Sequence, residues 1–203
     1  MNDYIVIDGK KVLDLSDEQV AQLKRSLGPK QRLGNVKIGE TVCIAGIPFV
    51  VLEHSKETTA VITRNLIDET VPFGSSNYFV YSDSQGKIRV FLRKIRECIG
   101  DDNIVMHTVD MTSEDGLTDY KKMKMKCSLL TSALYRRYVH ILDKYKVDSW
   151  WWLCTPHSTK THRNNMHVKA VSPNGFISNV VCTEKDSCGL RPFLILMSDT
   201  FVD

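Results

Sequence analysis

Four groups of residues in this 203-residue chain carry side chains able to do chemistry, and their spacing limits what that chemistry can be. The first is Cys154, His157, His162 and His167, with Cys182 and Cys188 further on. These are ligand types for zinc and related metals. A structural zinc site draws four of them into a tetrahedron, normally from close-set pairs, and the gaps here fit no such template. The histidines are expected in a surface loop, and no metal is expected.

The second group is acidic. Asp110, Glu114 and Asp115 suggest a hydrolase or a metal site. The plainer explanation is a turn capped by Thr112, with Asp115 three residues on in the acceptor position. Serine, histidine and aspartate all occur, yet no G-x-S-x-G elbow, H-E-x-x-H or G-x-x-x-x-G-K-[ST] accompanies them. No catalytic residue and no cofactor are therefore expected, and the chain reads as a non-enzyme.

The third group is basic. Arg89, Arg93 and Arg96 recur at i, i+4 and i+7, followed by Lys121, Lys122 and Lys124 with Lys126, and by Arg136 with Arg137. Such patches can meet phosphates or an acidic protein surface, and they also arise as the solvated face of an amphipathic helix. No DNA- or RNA-reading motif accompanies them, so a protein, or a nucleoprotein complex, is the expected partner. Direct contact with nucleic acid is left open.

The fourth group is Trp150-Trp151-Trp152 and Arg191. Tryptophan is enriched at binding hot spots, which makes Trp151 a candidate partner contact. In a strand, though, alternate rings face one way, burying Trp150 and Trp152 or else Trp151 alone. Arg191 opens an apolar strand and could grip an anion. The structural alternative is a guanidinium satisfied by carbonyls or by an acid such as Asp110 or Asp148. Trp150, Trp152, Pro156, Gly189, Arg191 and Pro192 are accordingly expected to be structural.

These residues need elements to position them. Tyr4–Ile7, an Asp8-Gly9 turn and Lys10–Leu15 read as a hairpin, and Ser16 opens a helix that Gly28-Pro29 ends. Residues 1–33 thus form a ββα unit, joined by a Pro29–Asn35 linker to a main domain at 34–203. Thr41–Ala45, Phe49–His54 and Thr59–Ile62 read as a meander interrupted by Gly46-Ile47-Pro48 and Lys56-Glu57. Ser75–Asp83 is a loop or an edge strand. Gly86–Ile99 and Thr131–Val147 have helical periodicity, and Leu117–Cys127 is expected as a short helix. Asp101–Asp115 is a strand and an acidic turn. Met166–Val171, Phe176–Val181 and Arg191–Met197 complete the strands. Strands at both ends with helices between them indicate an α+β fold with a mixed antiparallel sheet.

Composition sets outer bounds. A hydrophobic content of 42% with 25% charged residues is that of a globular chain, and the net charge of +3 announces neither nucleic acid nor membrane. No apolar run is long enough to span a bilayer. Nothing at Met1–Asp8 reads as a secretory signal, and six scattered cysteines suit a reducing compartment, so the cytoplasm is expected.

Trp151-Trp152-Leu153-Cys154-Thr155-Pro156, followed by Gly189-Leu190-Arg191-Pro192, resembles an uncharacterised domain family of gut Firmicutes and their phages and mobile elements. Its members carry W-W-L-R-[ST]-P and then G-V-R-P. Val36–Glu40, Val109–Gly116 and Ser128–Tyr138 support the resemblance, which covers residues 36–203. Cys154 stands where many members have arginine. The resemblance implies a phage or prophage origin but supplies no activity. More weakly, a closing G-x-R before an apolar strand is similar to C-type-lectin-like and formylglycine-generating-enzyme-like folds. The copper-binding cysteine pair of the latter has no counterpart here. Two tasks are expected from this: binding a host protein, including inhibition of a defence system such as a CRISPR effector, or ligand display on a virion or cell surface. An enzyme of metal-assisted chemistry is the remaining alternative.

Overall fold

The computed structural model describes residues 4–7, 10–14, 30–67, 70–184 and 188–203. The expected Asp8-Gly9 turn and the helix opening at Ser16 lie outside those residues. The hairpin strands β1 (Tyr4–Ile7) and β2 (Lys10–Asp14) pair antiparallel with each other.

The core is organised by an antiparallel sheet whose strands are apolar on both faces. β4 (Thr41–Ile44), β5 (Ile47–His54) and β6 (Thr58–Thr63) form the meander. Its first turn is Ala45-Gly46, with φ of 54° and 75°, so Ile47 and Pro48 belong to the strand. A two-residue hairpin loop with both φ positive matches the strand twist, and a glycine accepts that conformation at no steric cost. The late strand β15 (Phe193–Met197) pairs beside β6, and it also carries β7 (Ile104–Val105) and β10 (Cys127–Ser128).

A sheet buried on both faces needs a layer on each side. α1 (Asp83–Ile99) covers one face, packing Ile88, Phe91 and Ile95 against Phe49, Val51, Val61 and Leu194. α2 (Ser132–Leu142) covers the other, packing Tyr135, Tyr138 and Ile141 against Val50, Leu52, Ile62 and Phe193. The helix starts follow capping chemistry: Ser82 Oγ accepts from the Gln85 amide at 3.0 Å, and Thr131 Oγ1 from the Leu134 amide at 3.1 Å. α1 therefore begins three residues before the expected Gly86. Ser75–Asp83, left between loop and strand by the sequence, is a loop with a 3-10 turn at Phe79–Tyr81 that ends on this cap. α2 ends at Leu142 and passes into a 3-10 turn at Asp143–Tyr145, short of the expected Val147.

A second sheet contains β11 (Trp150–Pro156), β12 (His167–Val171), β13 (Ile177–Val181) and β14 (Cys188–Gly189), the last parallel to β11. Gly189-Leu190-Arg191-Pro192 crosses from this sheet to the first. Gly189 pairs with Trp151, and the Pro192 carbonyl accepts from the Thr63 amide at 3.0 Å. The protein is α+β, with largely antiparallel sheets and two α-helices among the described residues.

Two expectations fail for identifiable reasons. Leu117–Cys127 is not a helix: β9 (Lys122–Met125) pairs with β8 (His107–Asp110). Lys-Met-Lys-Met alternates exposed and half-buried positions, the period of a strand. Within the expected linker, residues 30–35 are not free. β3 (Gln31–Arg32) pairs with β16 (Phe201–Val202), Leu33 is fully buried, and its amide donates to the Thr200 carbonyl at 2.8 Å. One leucine in a polar run was enough to anchor it.

Candidate functional site

α1 has one face in the core and one in solvent, and the solvent face concentrates charge. Lys87, Arg89, Arg93, Lys94 and Arg96 stand against Asp83 and Glu97, so this helix alone carries an excess of three cations, equal to that of the whole chain. Among the described residues only Arg96 of the five is answered: its Nε meets Asp101 at 2.6 Å. Asp101 also receives Lys126 Nζ at 2.7 Å, and these contacts, Lys126 foremost, hold its carboxyl below the usual carboxylate range. Lys87, Arg89, Arg93 and Lys94 make no ion pair among the described residues.

Beside that face lies an open cleft of about 940 Å³. Ile47, Pro48, Leu66, Ile67 and Phe91 supply its apolar surface, and Lys87 and Lys94 its basic rim. Val90, 64% exposed, stands between the two lysines. Lys87, Val90 and Lys94 were not singled out in the sequence. Their i, i+3, i+7 spacing, with an apolar residue interrupting a basic stripe, was the signal available.

The remaining basic residues are distributed differently. Arg136 pairs with Glu114 and Arg137 with Glu53. A bulge at Leu52 turns Glu53 to the α2 side of the sheet, where it also accepts the Tyr138 hydroxyl at 2.5 Å. Lys122 meets Asp110 at 3.0 Å, whereas Lys124 is exposed. Lys121 takes the left-handed conformation, φ 56°, just ahead of the strand.

Trp151 offers nothing to a partner. Both it and Trp152 are buried, and Trp150 is half-buried. The alternation holds, with Trp150 and Trp152 on the α1 cluster and Trp151 on the α2 cluster, but β11 is packed on both sides, so the two expected settings are not alternatives. Trp152 Nε1 donates to the Val71 carbonyl at 2.8 Å. Arg191 is 1% exposed and stacks 5.1 Å above the Trp151 ring. Its Nε donates to the Thr63 carbonyl at 3.0 Å and its Nη1 to the Tyr145 carbonyl at 3.3 Å, so carbonyls rather than Asp110 or Asp148 receive it. Burial lowers its pKa to about 10, which leaves it charged at neutral pH. Cys154, also fully buried, donates to the Leu129 carbonyl at 3.3 Å, and burial raises its thiol to about 12. Pro156 pairs with Val168, and its carbonyl accepts from the Glu114 amide at 3.0 Å.

The acidic residues fasten a loop. Asp115 accepts from Ser113 at 2.5 Å, from Ser158 at 2.6 Å and from His162 Nδ1 at 3.0 Å. The Ser113 and then the Ser158 hydroxyl hold its carboxyl well below the usual range. The Ser158 proton goes to the carboxylate and not to the imidazole, so the trio is not wired as a relay. Thr112 does not cap towards Asp115. Its amide and hydroxyl both meet Asp110, at 3.0 and 2.6 Å. Asp119 receives Thr159 and, at 2.7 Å, Thr161. Asn77, buried, donates to the Ser158 and His167 carbonyls at 2.8 and 3.0 Å. Of the expected metal-ligand types, His162 is exposed, His157 and His167 are half-buried, and Cys182 and Cys188 are buried. Among the described residues, no three histidines, cysteines or acids are grouped to hold a metal ion. No helix among them is long and apolar enough to cross a membrane.

A serine–histidine contact joins His107 Nε2 to Ser128 Oγ at 3.0 Å. Both residues are buried, and burial pushes the His107 pKa down to about 4. No family model matches the sequence, and neither a curated protein nor a solved structure matches it.

Proposed function

We propose that this chain is a non-catalytic accessory protein of phage or mobile-element origin that binds another protein, or a nucleoprotein complex, through the outer face of α1. The observation that carries the reading is the placement of charge. Four cations on one helix face are unpaired among the described residues, while Arg136 and Arg137 each meet an acid and Arg96 and Lys126 share Asp101. Unpaired like charge on one surface repels itself and contributes nothing to folding, but it accelerates encounter with an acidic partner. Within this class, the task we assign is inhibition of a bacterial defence complex, such as a CRISPR effector, in the host cytoplasm. The slight positive charge argues for occupying an acidic assembly surface over mimicking DNA.

Affinity capture from the bacterial host tests this. The wild-type chain is expected to retain a specific protein that Arg89→Glu/Arg93→Glu loses. Recovery of no specific protein, or equal recovery by the variant, would remove the reading.

A second reading, ligand display, is favoured by the fastened loop at residues 157–165. Nearby, the Tyr78 ring stacks on Tyr120 at 4.4 Å and meets the exposed Tyr81 edge-on at 5.2 Å. Rigid loops with exposed aromatic rings suit recognition. This reading requires the protein to be present in purified particles, and its absence there would end it.

A further inference from the structure

The cleft beside α1 has a chemistry of its own, and resting on the reading above it specifies what the partner presents. We infer that the cleft seats an acidic amphipathic segment of the partner protein, with apolar side chains on its floor and carboxylates beside Lys87, Lys94, Arg89 and Arg93.

Three observations converge. The floor is apolar: Ile47, Pro48, Leu66, Ile67 and Phe91 line about 940 Å³, a volume suited to several side chains, and Val90 projects 64% exposed. Apolar surface of this kind is stabilised by covering it with apolar groups, which a phosphate backbone does not provide. The rim is cationic, so the covering segment gains from carboxylates on either side of its apolar residues. Among the described lining residues the one acid, Asp83, sits in the first turn of α1, where it complements the helix dipole.

Gly86 is the third. It lies within α1 and lines the cleft, and a Cβ placed on it would meet nothing within 4 Å. No neighbour therefore requires a glycine, although a glycine inside a helix is less stable than an alanine. Its effect is to keep the cleft floor low where a ligand backbone can approach. A second copy of this chain is a poor occupant, because it would place two faces of net positive charge against each other.

The test uses the full chain and fluorescence anisotropy of a fluorescein-labelled leucine–glutamate peptide with leucines at i, i+3, i+4 and i+7. Saturable binding is expected, weakened about tenfold or more by Val90→Glu, by Lys87→Glu/Lys94→Glu and by Gly86→Met. The corresponding leucine–lysine peptide should not bind. Gly86→Ala and Gly86→Met should melt no lower than the wild type, which separates blocking from unfolding. Equal binding by all variants would place the peptide elsewhere and overturn the inference. So would the absence of peptide binding, preference for an oligonucleotide duplex or an anionic vesicle, or a dimer by light scattering that Val90→Glu dissociates. If the peptide fails while capture from host lysate still depends on Arg89 and Arg93, this inference falls and the binding function stands. If capture fails as well, both fall.

Discussion

The two helices flank one sheet and share a design, with an apolar stripe inward and arginines outward, yet they treat their charges in opposite ways. On α2, Arg136 and Arg137 are drawn to Glu114 and Glu53, and Tyr138 shares the second of these acids. On α1, Lys87, Arg89, Arg93 and Lys94 point outward beside an apolar cleft with no ion pair among the described residues. The α2 side is finished: its polar groups are used to hold the fold. Among the described residues the α1 side is not, and on the function proposed above another molecule completes it in both charge and apolar area.

Substitutions on the closed side should cost stability, and the deepest should cost most. Arg191→Ala is expected to lose about 3–5 kcal/mol in urea denaturation, because it strands the Thr63 and Tyr145 carbonyls and opens a cavity against Trp151. Arg191→Met strands the same carbonyls but keeps volume and removes a charge that burial already disfavours, so it should lose less. Equal losses from the two would show that the hydrogen bonds, and not the volume, set the cost.

Acid should reach the same side next. His107 packs edge-on against Phe193 and, with its pKa lowered from 6.5 to about 4 by burial, stays neutral in the folded chain where the unfolded chain would protonate. The unfolded state therefore binds the extra proton. The stability at stake is complete above pH 6.5, declines as pH falls towards 4 and then levels off. Linkage puts the loss at about 3 kcal/mol. His107→Phe should flatten that part of the profile, and an unchanged profile would assign the acid sensitivity to other groups.

The smallest effects sharpen the contrast between the helices. Glu53→Gln removes the acid that Arg137 and Tyr138 share and should cost about 1–2 kcal/mol. Arg89→Gln removes a charge with no partner among the described residues and should stay within about 0.5 kcal/mol of the wild type. A comparable loss from Arg89→Gln in thermal melts would mean that α1 is as closed as α2.

Much of this fold could be read from residue order, and the reasons differ by element. The meander, both helices and the paired strands β12 and β13 follow from periodicity and turn chemistry that act within a few residues. The lost helix at Leu117–Cys127 was legible too, in the two-residue period of Lys122–Met125, but lysine and methionine favour helices and obscured it. The burial of Trp151 and Trp152 together was not legible. It depends on β11 lying between two apolar clusters, a fact about distant segments that no local pattern states. The candidate face shows the same division. Arg89, Arg93 and Arg96 were visible as a stripe, but only coordinates separate Arg96, held by Asp101, from the two that are not, and bring Leu66 and Ile67 beside Val90 to form a cleft.

The comparison between the helices is tested most directly by calorimetric titration of the captured partner into Arg89→Gln/Arg93→Gln and Arg136→Gln/Arg137→Gln. Both variants remove the same two charges, so any general electrostatic effect is equal and only position differs. A partner affinity reduced about tenfold or more by the α1 pair and unchanged by the α2 pair is the expected result. Equal affinities for the two variants, or a larger loss from the α2 pair, would contradict it.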